Sequence, residues 1–256
     1  MLRKTLAALV ALSALAACNN DNNSGPAPAF TTVAAVGDSA TVAAAANEFR
    51  IALGGDLHAP AVGPQDSGRR EINWDGAPAA LTNVDTFPAT FFNVNSKRGA
   101  LFTGIGTGFR VDSSAFLDLN GSYPAQFRAF SPKKLFMPVG SNTMEVFFRR
   151  AGLTTTGLVN GFGVIFSDVD RTGSTRIDFF DQDQLFLGSV TAPAHAGAHE
   201  FSFVGAVFPA SVVSHVFIVS GDSALSGATN DISIEGTKDL VVMDDFIYGE
   251  PQPVPQ

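Results

Sequence analysis

Four aspartates are the side chains of this sequence most suited to chemistry. Asp168 and Asp170 open the run Asp168-Val169-Asp170-Arg171-Thr172-Gly173, with Asp178 further on. A hard cation such as calcium takes roughly six to eight oxygen ligands, and this run offers two carboxylates and a hydroxyl in one tight loop whose turn Gly173 permits. The run stops short of an EF-hand loop, because Thr172 stands where Asp or Asn is preferred and Phe179 where the closing glutamate belongs. The plainer alternative is a hairpin loop whose aspartates accept hydrogen bonds from nearby amides. Asp244 and Asp245 interrupt the otherwise apolar run Leu240 to Tyr248. Neighbours in a strand point to opposite faces, so one of the two faces the interior or its rim and needs compensation, from an ion or from Arg69 and backbone donors. Trp74, flanked by Asn73 and Asp75, is a candidate sugar platform: an exposed indole stacks on a sugar ring while its neighbours bond the hydroxyls. The alternative packs the ring across an edge of the fold.

Other chemistry finds little support. His195 and His199 are four apart, but no glutamate completes an H-E-x-x-H zinc motif, and G-x-S-x-G, P-loop and dinucleotide fingerprints are missing. A glycosidase would need two carboxylates facing a cleft, and pairs such as Asp178 and Asp181 arise easily among 24 acids. The expectation is a non-catalytic domain, with a carbohydrate hydrolase or lyase as the competing reading.

The elements that must position these residues are mostly strands. Short alternating or apolar runs rich in Phe, Val and Ile recur after Gly68, separated by Gly, Asn, Asp, Ser and Pro. They include Thr90–Val94, Gly108–Val111, Thr143–Arg149, Gly161–Ser167, Arg176–Phe180, Leu185–Val190, His199–Val204, Ser214–Ser220, Ile232–Ile234 and Asp239–Tyr248. This spacing predicts a mostly β fold, an antiparallel β-sandwich of jelly-roll type. One amphipathic helix precedes it: Asp38 or Ser39 caps, Val42, Ala46, Phe49 and Leu53 share a face, and Gly54-Gly55 stops it. The expected units are a signal over 1–17, a lipidated cysteine and tether over 18–37, the helix over 38–55, the sandwich over 56–249 and a loose Pro-rich tail over 250–256.

Composition narrows the class. With 256 residues, 45% hydrophobic and 16% charged, the chain is no disordered polymer, and its net charge of -8 excludes a nucleic-acid partner, which requires a basic footprint. Phe 23 against Tyr 2 and Trp 1 points to a large apolar core. Arg3 and Lys4 precede an apolar stretch too short to span a bilayer, as in an export signal. Leu15, Ala16, Ala17 and Cys18 then resemble the lipobox of bacterial lipoproteins, which implies a lipid on the Cys18 thiol and cleavage before it. Losing Arg3 and Lys4 takes the 16 basic side chains to 14 against 24 acidic, net -10. Cys18 is the single cysteine, so the mature chain has no internal disulfide and must rely on its core or on a metal. Asn19 after the cysteine favours the outer membrane in a cell that has one, by resemblance to the usual sorting rule.

Three runs carry a wider resemblance: Gly68-Arg69-Arg70-Glu71-Ile72-Asn73-Trp74-Asp75-Gly76, Gly161-Phe162-Gly163-Val164-Ile165-Phe166-Ser167-Asp168-Val169-Asp170, and Met243-Asp244-Asp245-Phe246-Ile247-Tyr248-Gly249-Glu250-Pro251. They look like exported bacterial proteins of unassigned function, some bearing PEP-CTERM tails. The resemblance implies a jelly roll at the cell surface and no particular activity. This chain ends in Pro-Gln without such a tail, so a lipid takes its place. The Asp244, Asp245 pair also resembles the last strand of jelly-roll carbohydrate-binding modules, where an aspartate helps hold a structural calcium; Glu71 or Asp75 would be its partner here. The functional expectation is a cell-envelope lipoprotein, calcium-stabilised, binding a glycan or a surface protein. A structural envelope-matrix protein without a small ligand is the alternative.

Overall fold

The computed structural model describes residues 28–197 and 199–256. The signal and Cys18 lie outside the described residues. In chain order the elements are β1 (Thr31–Gly37), α1 (Ser39–Leu53), β2 (Arg69–Ile72), α2 (Phe91–Val94), β3 (Ala100–Thr103), β4 (Gly108–Asp112), β5 (Leu135–Val139), β6 (Thr143–Phe148), β7 (Gly157–Leu158), β8 (Gly161–Ser167), β9 (Arg176–Phe180), β10 (Phe186–Thr191), β11 (Phe201–Val207), β12 (His215–Val219), β13 (Val242–Gly249) and β14 (Gln252–Pro253). One sheet runs β1-β11-β8-β13-β5-β4, with β2 also on β13; the second runs β10-β9-β12-β6-β3. Every pairing within these sheets is antiparallel. Apart from the hairpins β4–β5 and β9–β10, most connections cross from one sheet to the other, which makes the sandwich jelly-roll-like.

Burial explains the two strand textures. The five-stranded sheet covers the core with one face only, so β6 and β9 alternate buried and half-exposed residues. The other sheet is covered on both faces, and all seven residues of β8 are buried. Phe162, Val164 and Phe166 enter the main core with Ile177, Phe179, Val216 and Ile218 from the opposite sheet. Ile165 points the other way, into a cluster with Val42, Ala46, Phe49 and Leu53 of α1. The helix docks by its expected face, with the Asp38 carboxylate accepting from the Thr41 N–H at 2.9 Å and Gly54 closing the C-terminus at φ 78°. Gly205 and Gly163 face each other across β11 and β8. A Cβ on Gly205 would lie 2.7 Å from the Phe49 ring, so this pair opens the groove that seats it.

Four expectations are corrected. Residues 31–37 are strand β1, paired with β11 from Thr31 opposite Val207 to Gly37 opposite Phe201, and no part of a tether. Thr90–Val94 contains the helical turn α2, because Phe91 and Phe92 must both be buried, which alternation forbids. Ile232–Ile234 is a 3-10 turn capped by Asp231. The tail is held down: Glu250 forms a fully buried ion pair with Arg70, Nε to Oε2 at 2.5 Å, and Gln252–Pro253 pair with β7. Among the described residues, no helix is long and apolar enough to cross a membrane.

Candidate metal centre

At the end of β8 the chain leaves the central sheet, and Asp168 adopts a left-handed backbone at φ 71° while its N–H bonds the Glu200 carbonyl at 3.0 Å. An aspartate tolerates that conformation better than most residues. The turn that follows is tied down by Asp239, whose two oxygens accept the Asp170 and Arg171 amides at 3.1 Å each, and by the Ser174 hydroxyl, which also bonds Asp239. Gly173 sits in this turn at φ 86°. From the long excursion between β12 and β13 comes Asp231, fully buried, accepting the Ser233 N–H at 2.9 Å and the Leu240 N–H at 2.6 Å.

One ligand oxygen each from Asp168, Asp170 and Asp231 lies within 4.8 Å of the others. Asp170 Oδ1 accepts the Gly197 amide at 3.0 Å, but its Oδ2 has no partner among the described residues. Both oxygens of Asp168, a residue with no exposed surface, have none there either. Among the described residues no Lys, Arg or His forms an ion pair with any of the three, and the nearby Arg171 guanidinium is spent on Asp222 and the Thr237 carbonyl. Burial first, and then the carboxylates of Asp231, Asp170 and Asp239, push the Asp168 carboxyl up to about 9. Burial and Asp231 raise Asp170 to about 6. Leaving buried acceptors unpaired among like charges is costly, and a positive charge at their centre would relieve that cost. All the donors are oxygens, so the triad can hold a hard metal ion.

The expected residues therefore divide. Asp168 and Asp170 converge. Asp244 and Asp245 are not part of this group: Asp244 accepts the Phe130 N–H at 2.5 Å and the Ser131 hydroxyl at 2.8 Å, while Asp245 lies 3.9 Å from Arg50. Nor do they point to opposite faces. Met243 pairs with Phe166 and Phe246 with Val164, leaving two aspartates opposite Ile165 alone. That β-bulge turns both carboxyl groups the same way, within hydrogen-bonding reach of each other. Burial, with the adjacent Asp245, holds Asp244 well above the usual carboxylate range.

Trp74 is not a sugar platform. It is 1% exposed, stacks on Phe136 at 3.8 Å and 4°, meets Phe92 and Phe246 edge-on, and donates its indole N–H to the Asp244 carbonyl at 2.6 Å. Asn73 is exposed but gives its carbonyl to Ser131, and Asp75 neighbours Lys134 without joining a ligand set. Asp231 and Asp239 escaped the sequence reading because only the fold brings them to Asp168; the one local signal is the capping position of Asp231 ahead of Ile232. Comparison with known protein families and with curated proteins found no match.

Proposed function

We propose that this chain is a lipid-anchored cell-envelope protein whose β-sandwich is a non-catalytic domain stabilised by one calcium ion on Asp168, Asp170 and Asp231. The observation that carries the reading is Asp168, buried with two unpartnered oxygens between two further carboxylates. Ligand oxygens of one calcium ion, each at about 2.4 Å, stand no more than about 4.8 Å apart, and the three carboxylate oxygens lie within 4.8 Å of one another. Magnesium, at about 2.1 Å, demands a tighter shell and keeps several waters, and zinc prefers imidazole and thiolate donors. Closure of the site supports a structural role, since Asp168 and Asp231 have no exposed surface to offer a substrate. The anchor rests on the lipobox ending at Cys18, and an ion would offset the missing disulfides of an exported domain.

Calorimetric melting tests the metal. Calcium at about a hundred times its dissociation constant adds about 2.7 kcal/mol, which for a domain of this size raises Tm by roughly 5–10 °C. Magnesium at the same concentration should do less. A Tm that is the same in excess EDTA and in calcium overturns the metal reading.

A further inference from the structure

At the far end of β9 from the metal centre, the tip of the β9–β10 hairpin leans over a cleft of about 450 Å³. Its floor is Phe147, Ser214 and His215, and its walls are Arg149 on one side and Gln182, Asp183 and Gln184 on the other. The floor is rigid. His215 is stacked between Phe147 and Phe180, with centroids 4.7 and 4.8 Å apart and planes within 13° and 7°. The tip is rigid as well: Asp181 Oδ1 accepts the Asp183 and Leu185 amides at 2.8 and 2.9 Å, the Ser214 hydroxyl donates to the Asp181 carbonyl, and Gln184 is held at φ 64°.

Against this fixed frame the polar side chains are free. Gln182, Asp183 and Gln184 are exposed, and their side chains make no hydrogen bond within the described residues. Arg149 forms no ion pair there and gives only long bonds, 3.3 and 3.4 Å, to Thr156 Oγ1 and the Phe148 carbonyl. The cleft thus offers two amides that both donate and accept, one guanidinium and one carboxylate. We propose that it binds a neutral glycan. Neighbouring sugar hydroxyls each donate and accept, as the two glutamine amides do. Arg149 stands against Asp183 and against the carboxylates of Asp181 and Glu145 that act on His215, so the cleft holds no surplus of positive charge for a phosphate or an acidic polymer, which would call for a basic cluster. The volume falls within the range of small-ligand sites, about 300–1,000 Å³. With Phe147 and Phe180 stacked on the His215 imidazole, binding rests on hydrogen bonds instead of stacking on that ring.

This inference goes beyond the calcium reading and is separable from it. The cleft and the triad lie at opposite ends of β9, whose five residues span about 17 Å. The test is isothermal titration of the full chain, in detergent and excess calcium, with cellohexaose, laminarihexaose, xylohexaose and maltohexaose, and with oligogalacturonate as the acidic comparator. At least one neutral hexasaccharide should bind and shift the His215 imidazole resonance. Gln182→Ala and Arg149→Ala should each weaken it about tenfold. Gln182→Ala, at an exposed turn, should leave Tm unchanged, which keeps the test valid if the arginine variant is unstable. The proposal is overturned if no neutral sugar binds, if only oligogalacturonate does, or if Gln182→Ala binds as tightly as the parent chain.

Discussion

At Asp168 and Asp170 two carboxyl groups shape how the protein should answer to pH and to a bound cation. The folded pKa of Asp168, about 9, and that of Asp170, about 6, both exceed the ordinary 3.8. A carboxyl whose pKa is raised by folding keeps a proton that the unfolded chain has already released, so folding is penalised progressively as pH climbs above the unfolded value. Stability of the chelated protein should therefore fall as pH rises from about 4 through 6 and on towards 9, with no such loss from these groups below that window. A bound cation replaces the protons and should flatten the curve, so the gap in Tm between calcium and EDTA widens with pH. Asp168→Asn removes the charge while keeping the shape. It should melt no lower than the parent chain in EDTA at pH 8 and show no rise in calcium; a variant that still gains several degrees from calcium would mean that Asp168 is not a ligand. The pair Asp168 and Asp170 was legible from its spacing and from Gly173. Asp231 and Asp239 were not, since 61 residues separate Asp170 from Asp231 and the excursion that returns carries no periodic signal.

Among the elements, β13 shows how one irregularity rewrites the meaning of a sequence. Strict alternation separates Asp244 from Asp245; the bulge opposite Ile165 puts them together and aims Asp244 at the loop of Phe130 and Ser131. Asp244 thereby accepts one hydroxyl and two amides, and the Phe130 and Ser131 amides would otherwise be left without partners. Asp244→Ala should cost about 3 kcal/mol, the loss of several bonds to a buried acceptor together with the orphaned donors. Urea unfolding would measure it, and hydrogen exchange at Phe130 and Ser131 should quicken; an unfolding free energy within about 0.5 kcal/mol of the parent would show that the loop is held by other contacts. Element by element, legibility followed local pattern and turn chemistry, and the buried β5 was missed where they were weak. β8 and β9 were read to the residue because turn chemistry brackets strongly apolar or alternating runs. β1 was missed because it is an edge strand in which Val33 alone is buried, so its sequence carries no alternation. α2 was misread because Thr90, Phe91 and Phe92 favour strands by propensity, and only packing overrides them.

For the whole molecule, the arithmetic of charge and cysteine sets the design. A sandwich without disulfides, carrying an excess of acids, gathers part of that excess at one buried point where a divalent ion can neutralise it and join the turn after β8 to the excursion holding Asp231, with the loop at Gly197 tied on as a third segment through the Asp170 carboxylate. The fold class and the helix were open to reading because they depend on periodicity, whereas the convergence of the three segments depends on topology. The proposed anchor sets a limit of its own. The 13 residues from Cys18 to the start of β1 at Thr31 reach at most about 45 Å, so a lipid on Cys18 would hold the domain within that distance of the membrane surface. Anchor and fold should then be independent. Cys18→Ser should lose label from radioactive palmitate and move from the membrane to the soluble fraction, since in the proposed function the lipid on that cysteine is the attachment. Its Tm, and the rise of that Tm in calcium, should match those of the parent chain, because every proposed ligand lies beyond residue 167. A variant that stays membrane-bound after a high-salt wash would place the anchor elsewhere in the chain, and one that lost its calcium response would tie the metal centre to the N-terminus in a way the sandwich alone does not explain.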